Sequence, residues 1–299
     1  MALETVGTAL IRRHIGRRLV TLREKAGLTQ EQAARAVDLS RSTIVRMEDG
    51  VEGVRFKVGD VNMIVDAYKA SESDRQVLLA LTAETRNGRK KSWWHDYTQT
   101  ELPEWFGLYV MLEDSATLIR QYESELVPGL LQIEEYAEGL ASKPTGYLTV
   151  GEVKRRVQVR MDRQALLSRP DAPRFEVILN EAVIRRPFGQ PEFFRRQLAH
   201  LLDAAGRKGV SIRILPWSVG MHAGMVASAF TLLDFPKDPQ GTPLEPPLAY
   251  VDTLTGAMYL NKPEEVDAYE LVWRDLKKTA LSAAESRELI KTAMEELPE

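Results

Sequence analysis

Residues 15–50 read IGRRLVTLREKAGLTQEQAARAVDLSRSTIVRMEDG and predict two short helices joined by a tight corner. Thr29 is placed to cap the first helix, because its side-chain oxygen can accept a hydrogen bond from a free N–H of the first turn. Ser40 is placed to cap the second helix in the same way. Gly50 is the usual residue for ending a helix. The stretch therefore carries a start and a stop signal for a compact helix pair.

The second helix of this pair has one apolar stripe and one polar face. Ile44 and Met47 are three residues apart and are predicted to face the core. The polar face carries residue types that suit DNA bases, because arginine binds guanine O6 and N7 and serine or threonine can bind several bases. In a helix-turn-helix unit the second helix enters the major groove and its first residues reach the base edges. The predicted base contacts are Arg41, Ser42, Thr43 and Arg46.

Three further positions are predicted to contact the DNA backbone, and a fourth to fix the register. Gln30, at the start of the first helix, can bond a phosphate or an adenine. Arg17 and Arg18 lie on the outer side of a preceding helix that is predicted over residues 8–26, and Lys57 follows the pair in a loop. Such cations contribute affinity without sequence information. The alternative for the arginines is a solvated helix face.

These residues resemble the DNA-binding domain of the phage-repressor-like (Xre) family. The resemblance rests on the stretch LREKAGLTQEQAARAVDLSRSTIVRMEDG, in which the paired caps, the corner and the S-R-S-T-I motif agree. Two more helices are predicted over residues 58–69 and 71–86, which gives five in about 80 residues. The resemblance implies a five-helix lambda-repressor-like domain. An ordinary helical hairpin with a charged face is the alternative.

Composition and charge agree with a DNA-binding module joined to a different kind of domain. Residues 1–92 carry 17 Lys+Arg against 12 Asp+Glu, and the remainder carries 23 against 31. A basic segment attached to an acidic one is expected when only one part binds nucleic acid. There is no cysteine, which excludes disulfides and thiol nucleophiles. The sequence has no signal-peptide pattern and no apolar run of membrane-spanning length, so we expect a cytoplasmic, nucleoid-associated protein.

The chain is predicted to fall into three parts: residues 1–90, residues 91–105 and residues 106–299. The segment NGRKKS at residues 87–92 is predicted to be the linker, either solvated or in contact with a phosphate. An aromatic-rich crossing into the last part follows, formed by Trp93, Trp94, Tyr97, Trp105 and Phe106. These rings are predicted to pack between domains, with base stacking as the alternative. The last part is predicted to be an α+β domain with a mixed sheet and helices. Residues 238–247, rich in Pro and Gly, are predicted to be a surface loop.

The elements predicted in the last part alternate between both classes of secondary structure. Strands are expected over residues 116–122, 174–179, 210–215, 227–235, 248–253 and 257–260, the last two as a hairpin. Helices are expected over residues 101–112, 132–141, 149–167, 192–205, 263–276 and 282–297. The helix over 149–167 has a basic face that either is solvated or meets an acidic partner.

Residues 105–285 resemble the C-terminal domain of actinobacterial regulators of the WhiJ-like type. The matching motifs include ESELVPGLLQIEEY at residues 123–136 and NEAVIRR at residues 180–186. Others are Ile214–Pro216 with His222-Ala223-Gly224. The resemblance implies an antitoxin-like regulator that pairs with a small protein encoded nearby.

No residue constellation for catalysis, a metal or a cofactor is found, so an enzyme is not expected. His222, with Trp217 nearby, follows a predicted strand, where ligands often bind. Arg185 and Arg186, together with Glu181, could hold an anion. A loop histidine and a local group of ion pairs are the simpler alternatives.

The combined expectation is a transcriptional regulator that binds double-stranded DNA as a homodimer on a pseudo-palindromic operator. One helix-turn-helix unit covers about half of such a site. The C-terminal domain would supply dimerisation and take a regulatory input from a small partner protein. The alternative input is a small molecule bound in a pocket of that domain.

Overall fold

The computed structural model describes residues 8–50, 54–87, 104–143, 145, 148–237, 241–253 and 256–298. Contacts divide the chain into two units. The first comprises Met1–Ser92 and Phe235–Pro246, and the second comprises Trp93–Asp234 and Pro247–Glu299. The predicted linker beyond Asn87 and the aromatic residues Trp93, Trp94 and Tyr97 lie outside the described residues.

The first unit contains the five predicted helices, and their ends lie within three residues of the predicted ones. They are α1 (Thr8–Lys25), α2 (Gln30–Ala36), α3 (Arg41–Asp49), α4 (Val58–Ala67) and α5 (Glu72–Asn87). The fold class expected for this part of the chain is confirmed.

The caps of α2 and α3 are those that the sequence predicts. The Thr29 side chain accepts the Gln32 N–H, and the Gln32 side chain accepts the Thr29 N–H, which forms a reciprocal capping box. The Ser40 hydroxyl accepts the N–H of Thr43 at 3.1 Å. Gly50 ends α3 with φ of 59°, a left-handed conformation that favours glycine. Both ends of α3 are therefore fixed by local hydrogen bonds and backbone geometry.

Helices α1 and α3 pack with almost no space between their backbones. A Cβ atom at Gly16 would lie 2.3 Å from the Glu48 carbonyl oxygen, and one at Gly50 would lie 2.6 Å from the Arg13 Cα. Only glycine permits this approach on both sides of the crossing. Around it, the inward positions of all five helices are fully buried. They are Ile11, Ile15, Leu19, Ala33, Ala34, Ile44, Met47, Val61, Ile64, Val65, Tyr68, Val77, Leu78 and Leu81.

A buried ion pair links the first three helices. Arg23 of α1 donates to both carboxylate oxygens of Glu48 in α3, at 2.5 and 3.2 Å. Gln30, the first residue of α2, donates to the same carboxylate at 2.9 Å, and Arg23 also donates to the Leu28 carbonyl. Hydrogen bonds and the Coulomb attraction to Glu48 outweigh desolvation and raise the pKa of Arg23 above its ordinary value. Glu48 therefore fixes the starting point of α2 relative to α1 and α3.

The segment Phe235–Pro246 belongs to the first unit although its neighbours in sequence belong to the second. The Glu245 carboxylate is almost fully buried and accepts from Arg13 at 3.2 and 3.3 Å and from Arg17 at 2.8 Å. Arg17 also donates to the carbonyl of Leu244, whose side chain is fully buried. The prediction of a surface loop over residues 238–247 is wrong at these two positions. Proline and glycine signal a turn, but they say nothing about what a turn packs against.

The second unit is built on one six-stranded sheet, as the α+β expectation requires. Its strands are β1 (Leu118–Glu123), β2 (Arg174–Asn180), β3 (Val210–Leu215), β4 (Phe230–Asp234), β5 (Leu248–Thr253) and β6 (Gly256–Leu260). The strand order is β3-β2-β1-β4-β5-β6. β1, β2 and β3 are parallel, whereas the pairs β1–β4, β4–β5 and β5–β6 are antiparallel. The sheet is therefore mixed, and the predicted β5–β6 hairpin is confirmed.

Helices cover this sheet on both faces and at one edge. They are α6 (Glu104–Ser115), α7 (Glu134–Ala141), α8 (Val150–Gln164), α9 (Glu181–Arg185), α10 (Pro191–Ala204), α11 (Gly224–Ala227), α12 (Pro263–Thr279) and α13 (Ala283–Glu295). Tyr122, Phe230 and Val251 join Trp273 and Leu276 of α12 in one apolar core. At the β3 edge, Ser286 of α13 accepts the N–H of Ile214 at 2.9 Å, so this edge is closed by a helix.

Two short helices and one strand boundary differ from the sequence expectation. α9 and α11 have five and four residues, too few for an apolar period to show in the sequence. β4 begins at Phe230, not at residue 227, because the chain turns at Ser228, whose φ is 57°. The apolar run AFTLL alone gives no sign of that turn.

We predict that Arg23→Ala strongly destabilises the first unit. The substitution leaves the Glu48 carboxylate buried without its main partner, which typically costs about 3–5 kcal/mol. Hydrogen–deuterium exchange of the full chain should show faster exchange in α1, α2 and α3. The control is Arg35→Ala, which removes an exposed ion pair with Glu31 and should change exchange little. Equal exchange in the two variants would contradict the importance given to the Arg23–Glu48 pair.

Candidate nucleic-acid interface

The outward face of α3 presents the four predicted base-contacting residues. Arg41, Ser42 and Arg46 are exposed, and Thr43 is half-buried. The Ser40 hydroxyl lies 2.9 Å from the Ser42 hydroxyl and 2.8 Å from that of Thr43. These bonds hold the short hydroxyl side chains close to the helix, whereas the two arginines extend beyond them. The structure therefore brings these residues together on one surface.

Within the described residues, Arg41 and Arg46 make no ion pair with a carboxylate. This distinguishes them from Arg23 and Arg35, which are paired with Glu48 and Glu31. An unpaired guanidinium keeps its planar array of N–H donors for a partner such as guanine. The arginines of α3 are thus available for base contacts without first breaking a protein contact.

Gln30 is held in place from behind by Glu48. Its side-chain nitrogen donates to the Glu48 carboxylate at 2.9 Å. This bond uses the amide N–H, so the amide oxygen is left to accept. A fixed amide suits the predicted role of setting the register, with the oxygen directed to a donor such as the adenine amino group.

The two arginines of α1 that were predicted to contact phosphates are engaged within the protein. Arg17 contacts Glu245 and the Leu244 carbonyl, as described above. Arg18 pairs with Asp74 of α5 at 3.0 Å and donates to the His14 ring at 3.2 Å. Contacts of these residues with phosphates remain predictions. In this structure both side chains connect α1 to other parts of the first unit.

A cationic cleft lies at the N-terminus of α4 and includes the predicted phosphate contact Lys57. It has a volume of about 730 Å³. Its lining contains the cations Arg12, Arg55 and Lys57 and the first residues of α4. The N-cap Lys57 makes no side-chain capping bond, so backbone N–H groups of the first turn remain available. Cations around a free helix N-terminus suit a phosphate oxygen.

Arg55 is a candidate that the sequence analysis missed, although a signal was present. Residues 54–57 read Val-Arg-Phe-Lys and alternate between buried and exposed side chains. A period of two in a short segment is typical of extended chain with one face on the core. This pattern would have placed Arg55 on the same side as Lys57.

The second unit places its four candidate residues near one end of the sheet but does not join them in one site. Arg185 pairs with Glu181 at 3.1 Å and also with Glu296, and Arg186 pairs with Glu125. Both arginines therefore belong to local ion pairs, the simpler of the two alternatives.

Trp217 and His222 lie in the chain between β3 and β4. The Trp217 backbone N–H donates to Glu181 at 2.9 Å, while its side chain is exposed. The His222 ring meets the Tyr122 ring edge-on at 6.2 Å, and burial lowers the pKa of this histidine. Its Nδ1 atom is buried and makes no hydrogen bond within the described residues. The imidazole is therefore neutral at physiological pH and packs against the sheet.

Comparisons with known protein families match two parts of the chain. Residues 14–78 match a helix-turn-helix domain, and residues 106–292 match a domain of unknown function, DUF5753. The chain belongs to the DUF5753 family. No curated protein and no solved structure matches the chain. In this DUF5753 protein the family match covers all six strands of the sheet, and α3 lies within the helix-turn-helix match.

The helix-turn-helix match indicates a DNA-binding regulator, and it includes the whole of α3. Among the residues that the structure describes, no helix combines the length and the apolar character needed to cross a membrane.

We predict that Arg41→Ala lowers affinity for the preferred DNA site by about 1–3 kcal/mol and relaxes the preference at one base pair. The reason is the loss of a bidentate contact with one base. Selection of binding sites from random DNA, followed by titration of single-base variants, measures both effects. Arg35→Ala is the matched control, since Arg35 is exposed but lies on α2 and is paired with Glu31. An equal loss of affinity for all sequences would show that Arg41 does not read a base.

We expect a different signature from Lys57→Ala. A phosphate contact carries no sequence information, so affinity should fall equally for all sites. The slope of log K against log salt concentration should also become shallower by about 1. Fluorescence anisotropy across a salt series measures both quantities. An unchanged slope would remove Lys57 from the interface.

Proposed function

We propose that this DUF5753 protein is a sequence-specific transcriptional regulator of the Xre type that binds a pseudo-palindromic operator. The observation that carries this proposal is the outward face of α3. Two exposed arginines there make no ion pair within the described residues, on a helix that is capped at both ends. Because the helix is already ordered and its guanidinium groups need not leave an ion pair, little conformational entropy is lost when they bind bases.

A homodimer is the expected binding form. One helix-turn-helix unit contacts about half of an operator, and a symmetric dimer doubles the contacts on a symmetric site. Such a protein would act in the cytoplasm, at the nucleoid. We propose no turnover for it, because the charged groups around Glu181 are engaged in ion pairs.

The regulatory input is proposed to come from a small partner protein that binds the second unit. The supporting observation is an apolar surface formed by Trp217, Met221, Met225 and Val226. Their side chains are 60%, 92%, 66% and 87% exposed. Large exposed apolar patches usually mark interaction sites, and Trp and Met are enriched at the cores of protein interfaces.

The neighbours of this apolar surface fix its orientation. Val219 and Ala227, from the same stretch, pack against the core of the sheet and α12. The Ala223 N–H donates to Asp275 of α12 at 3.4 Å. The backbone is thus attached while four large side chains point outward. Flexible methionines adapt to different partner shapes, which suits the antitoxin-like, WhiJ-like pairing that the sequence resemblance implies.

A small molecule is the second candidate input. The observation in its favour is a group of polar side chains at one end of the sheet that have unused hydrogen-bonding capacity. Arg160 has a single hydrogen bond within the described residues, to Gln132 at 2.8 Å. A sensor of this kind would use differential ligand binding to shift DNA affinity.

Native mass spectrometry of the protein, purified gently from its own host, distinguishes a partner protein from a small molecule as the regulatory input. We expect a stoichiometric complex with a small protein. A bare dimer with a few hundred daltons of added mass would instead support the sensor.

Met225→Asp with Val226→Asp should abolish the protein complex, because burying two carboxylates without partners is costly. The matched control is Val150→Asp, since Val150 is equally exposed but lies at the start of α8. A complex that survives the double substitution would place the partner on another surface.

A further inference from the structure

The ends of β1 and β5 leave a notch at the carboxyl edge of the sheet. β4 runs between these strands in the opposite direction, and its pairing ends at Phe230 on the β1 side and at Thr231 on the β5 side. Glu123 and Asp252 lie beyond these last pairs. With two strand spacings between them, their backbones are about 10 Å apart. This separation matches the length of a small metabolite.

The two carboxylates lie on the same face of the sheet. Gln121 is paired with Thr231, and Thr231 with Tyr250, so these three side chains share a face. Side chains alternate along a strand, so Glu123 and Asp252, each two residues further on, point the same way. We call the site formed by Glu123, Asp252, Arg160, Gln132 and Tyr250 the β1–β5 notch.

Helix α8 brings two arginines, one turn apart, near Asp252. Burial raises the pKa of Asp252, and the positive charges of Arg160 and Arg163 are among the groups that oppose this rise. A Cβ atom at Gly129 would lie 2.5 Å from Arg163 Nη2 and 3.9 Å from Arg160 Nε. Glycine at this position therefore leaves room for the Arg163 guanidinium group beside the backbone.

The two arginines differ in what they bind. Arg163 forms an ion pair with buried Glu113 at 2.9 Å and lies over the rings of Phe106 and Tyr109. Arg160 forms no ion pair within the described residues, and its one hydrogen bond goes to Gln132. Burial, then the charges of Arg163 and Arg156, lower the pKa of Arg160 to about 10, so it stays protonated at neutral pH. Arg160 is a cation with spare donors.

The carboxylates of the notch are also incompletely paired. Glu123 accepts one hydrogen bond from Gln121 at 2.7 Å. Burial, opposed in part by that bond and supported by Asp252, raises the pKa of Glu123 to about 7. Asp252 is exposed and accepts the Thr253 N–H at 3.0 Å. Neither carboxylate has an ion-pair partner within the described residues.

A buried hydroxyl lies beside them. Tyr250 is 5% exposed, and its hydroxyl interacts with the Asp252 carboxylate but has no hydrogen bond of good geometry within the described residues. Burial, then the nearby Asp252, raise the pKa of Tyr250 far above its ordinary value, which keeps the hydroxyl protonated. An unsatisfied buried polar group is uncommon and needs an explanation.

We propose that the β1–β5 notch binds a small zwitterionic metabolite of the amino-acid class. Arg160 would hold its carboxylate, and Asp252 with Glu123 would hold its ammonium group. The unpaired charges of the notch are one cation and two carboxylates, one of them half-protonated near pH 7. A phosphate ester would meet the carboxylates unfavourably, and a simple cation would leave Arg160 without a partner. A molecule that carries both a carboxylate and an ammonium group can pair with Arg160 and with the two carboxylates of the notch at the same time.

This inference names a ligand class for the second candidate input of the proposed function. The site is also separate from His222, which packs against Tyr122 on the opposite face of the sheet. Its test contains no DNA, so a failure of the DNA-binding proposal would not affect the result.

The experiment is a thermal-shift screen of the full-length protein, followed by calorimetry. The probes are the twenty standard α-amino acids with β-alanine and γ-aminobutyrate. For each zwitterion that binds, the N-acetyl derivative removes the ammonium charge and the amide removes the carboxylate. We expect at least one zwitterion to raise Tm by about 5 °C at saturation, and neither derivative to do so.

Variants then locate the site. Arg160→Gln and Asp252→Asn should each weaken binding at least about 10-fold, because each removes a charge-assisted hydrogen bond. Lys154→Gln, on the exposed side of the same helix, is the matched control and should leave Kd unchanged.

Three results would overturn the proposal. They are the absence of any binding zwitterion, an amide or N-acetyl derivative that binds as tightly as its parent, and unchanged binding in Arg160→Gln. The comparison of derivatives uses the unaltered chain, so the proposal stays open to refutation even if a variant does not fold.

Discussion

The ion pair between Arg23 and Glu48 is the contact on which the DNA-binding unit depends, because three helices meet at one carboxylate. Arg23 comes from α1, Gln30 from the start of α2, and Glu48 from the end of α3. The glycine crossing at Gly16 brings α1 within reach of Glu48. Because the pair is shielded from water, its geometry has to be maintained: a buried charge that loses its partner strongly destabilises the folded state. The outward face of α3 and the position of Gln30 are therefore set by an interaction that does not itself touch DNA.

In the second unit, the two faces of the sheet differ in character: one is apolar and the other is polar. One face packs Tyr122, Phe230 and Val251 against α12 in an apolar core. The other carries charged and hydroxyl groups beneath α6 and α8, among them the Arg163–Glu113 ion pair. Stability can come from the first face while the second retains polar groups, which is a common arrangement for a binding domain. The change of strand direction beside β1 produces the gap in which Glu123 and Asp252 lie.

The sequence predicts those parts of the structure that depend on neighbours along the chain. The caps at Thr29 and Ser40 and the stop at Gly50 are local, and each is found where the sequence indicates it. Partners distant in sequence are different. Nothing near Arg17 indicates Glu245, which is more than 200 residues away, and nothing near Arg163 indicates Glu113. The strand order could not be predicted from local sequence either, because the packing of the whole domain decides which strands become hydrogen-bonded neighbours. Short helices such as α11 contain no full apolar period, so they escape pattern analysis.

The segment that carries Glu245 makes the first unit discontinuous in sequence. The chain leaves this unit after α5, forms four strands and returns for residues 235–246 before completing the sheet. A protein of this kind cannot be divided into its units by one cut. A fragment that ends near residue 92 would lack the carboxylate that neutralises Arg13 and Arg17. Its surface would then carry one more uncompensated positive charge than in the intact chain. Measured alone, such a fragment would bind any DNA more tightly and with a steeper dependence on salt than the same helices do in the intact chain.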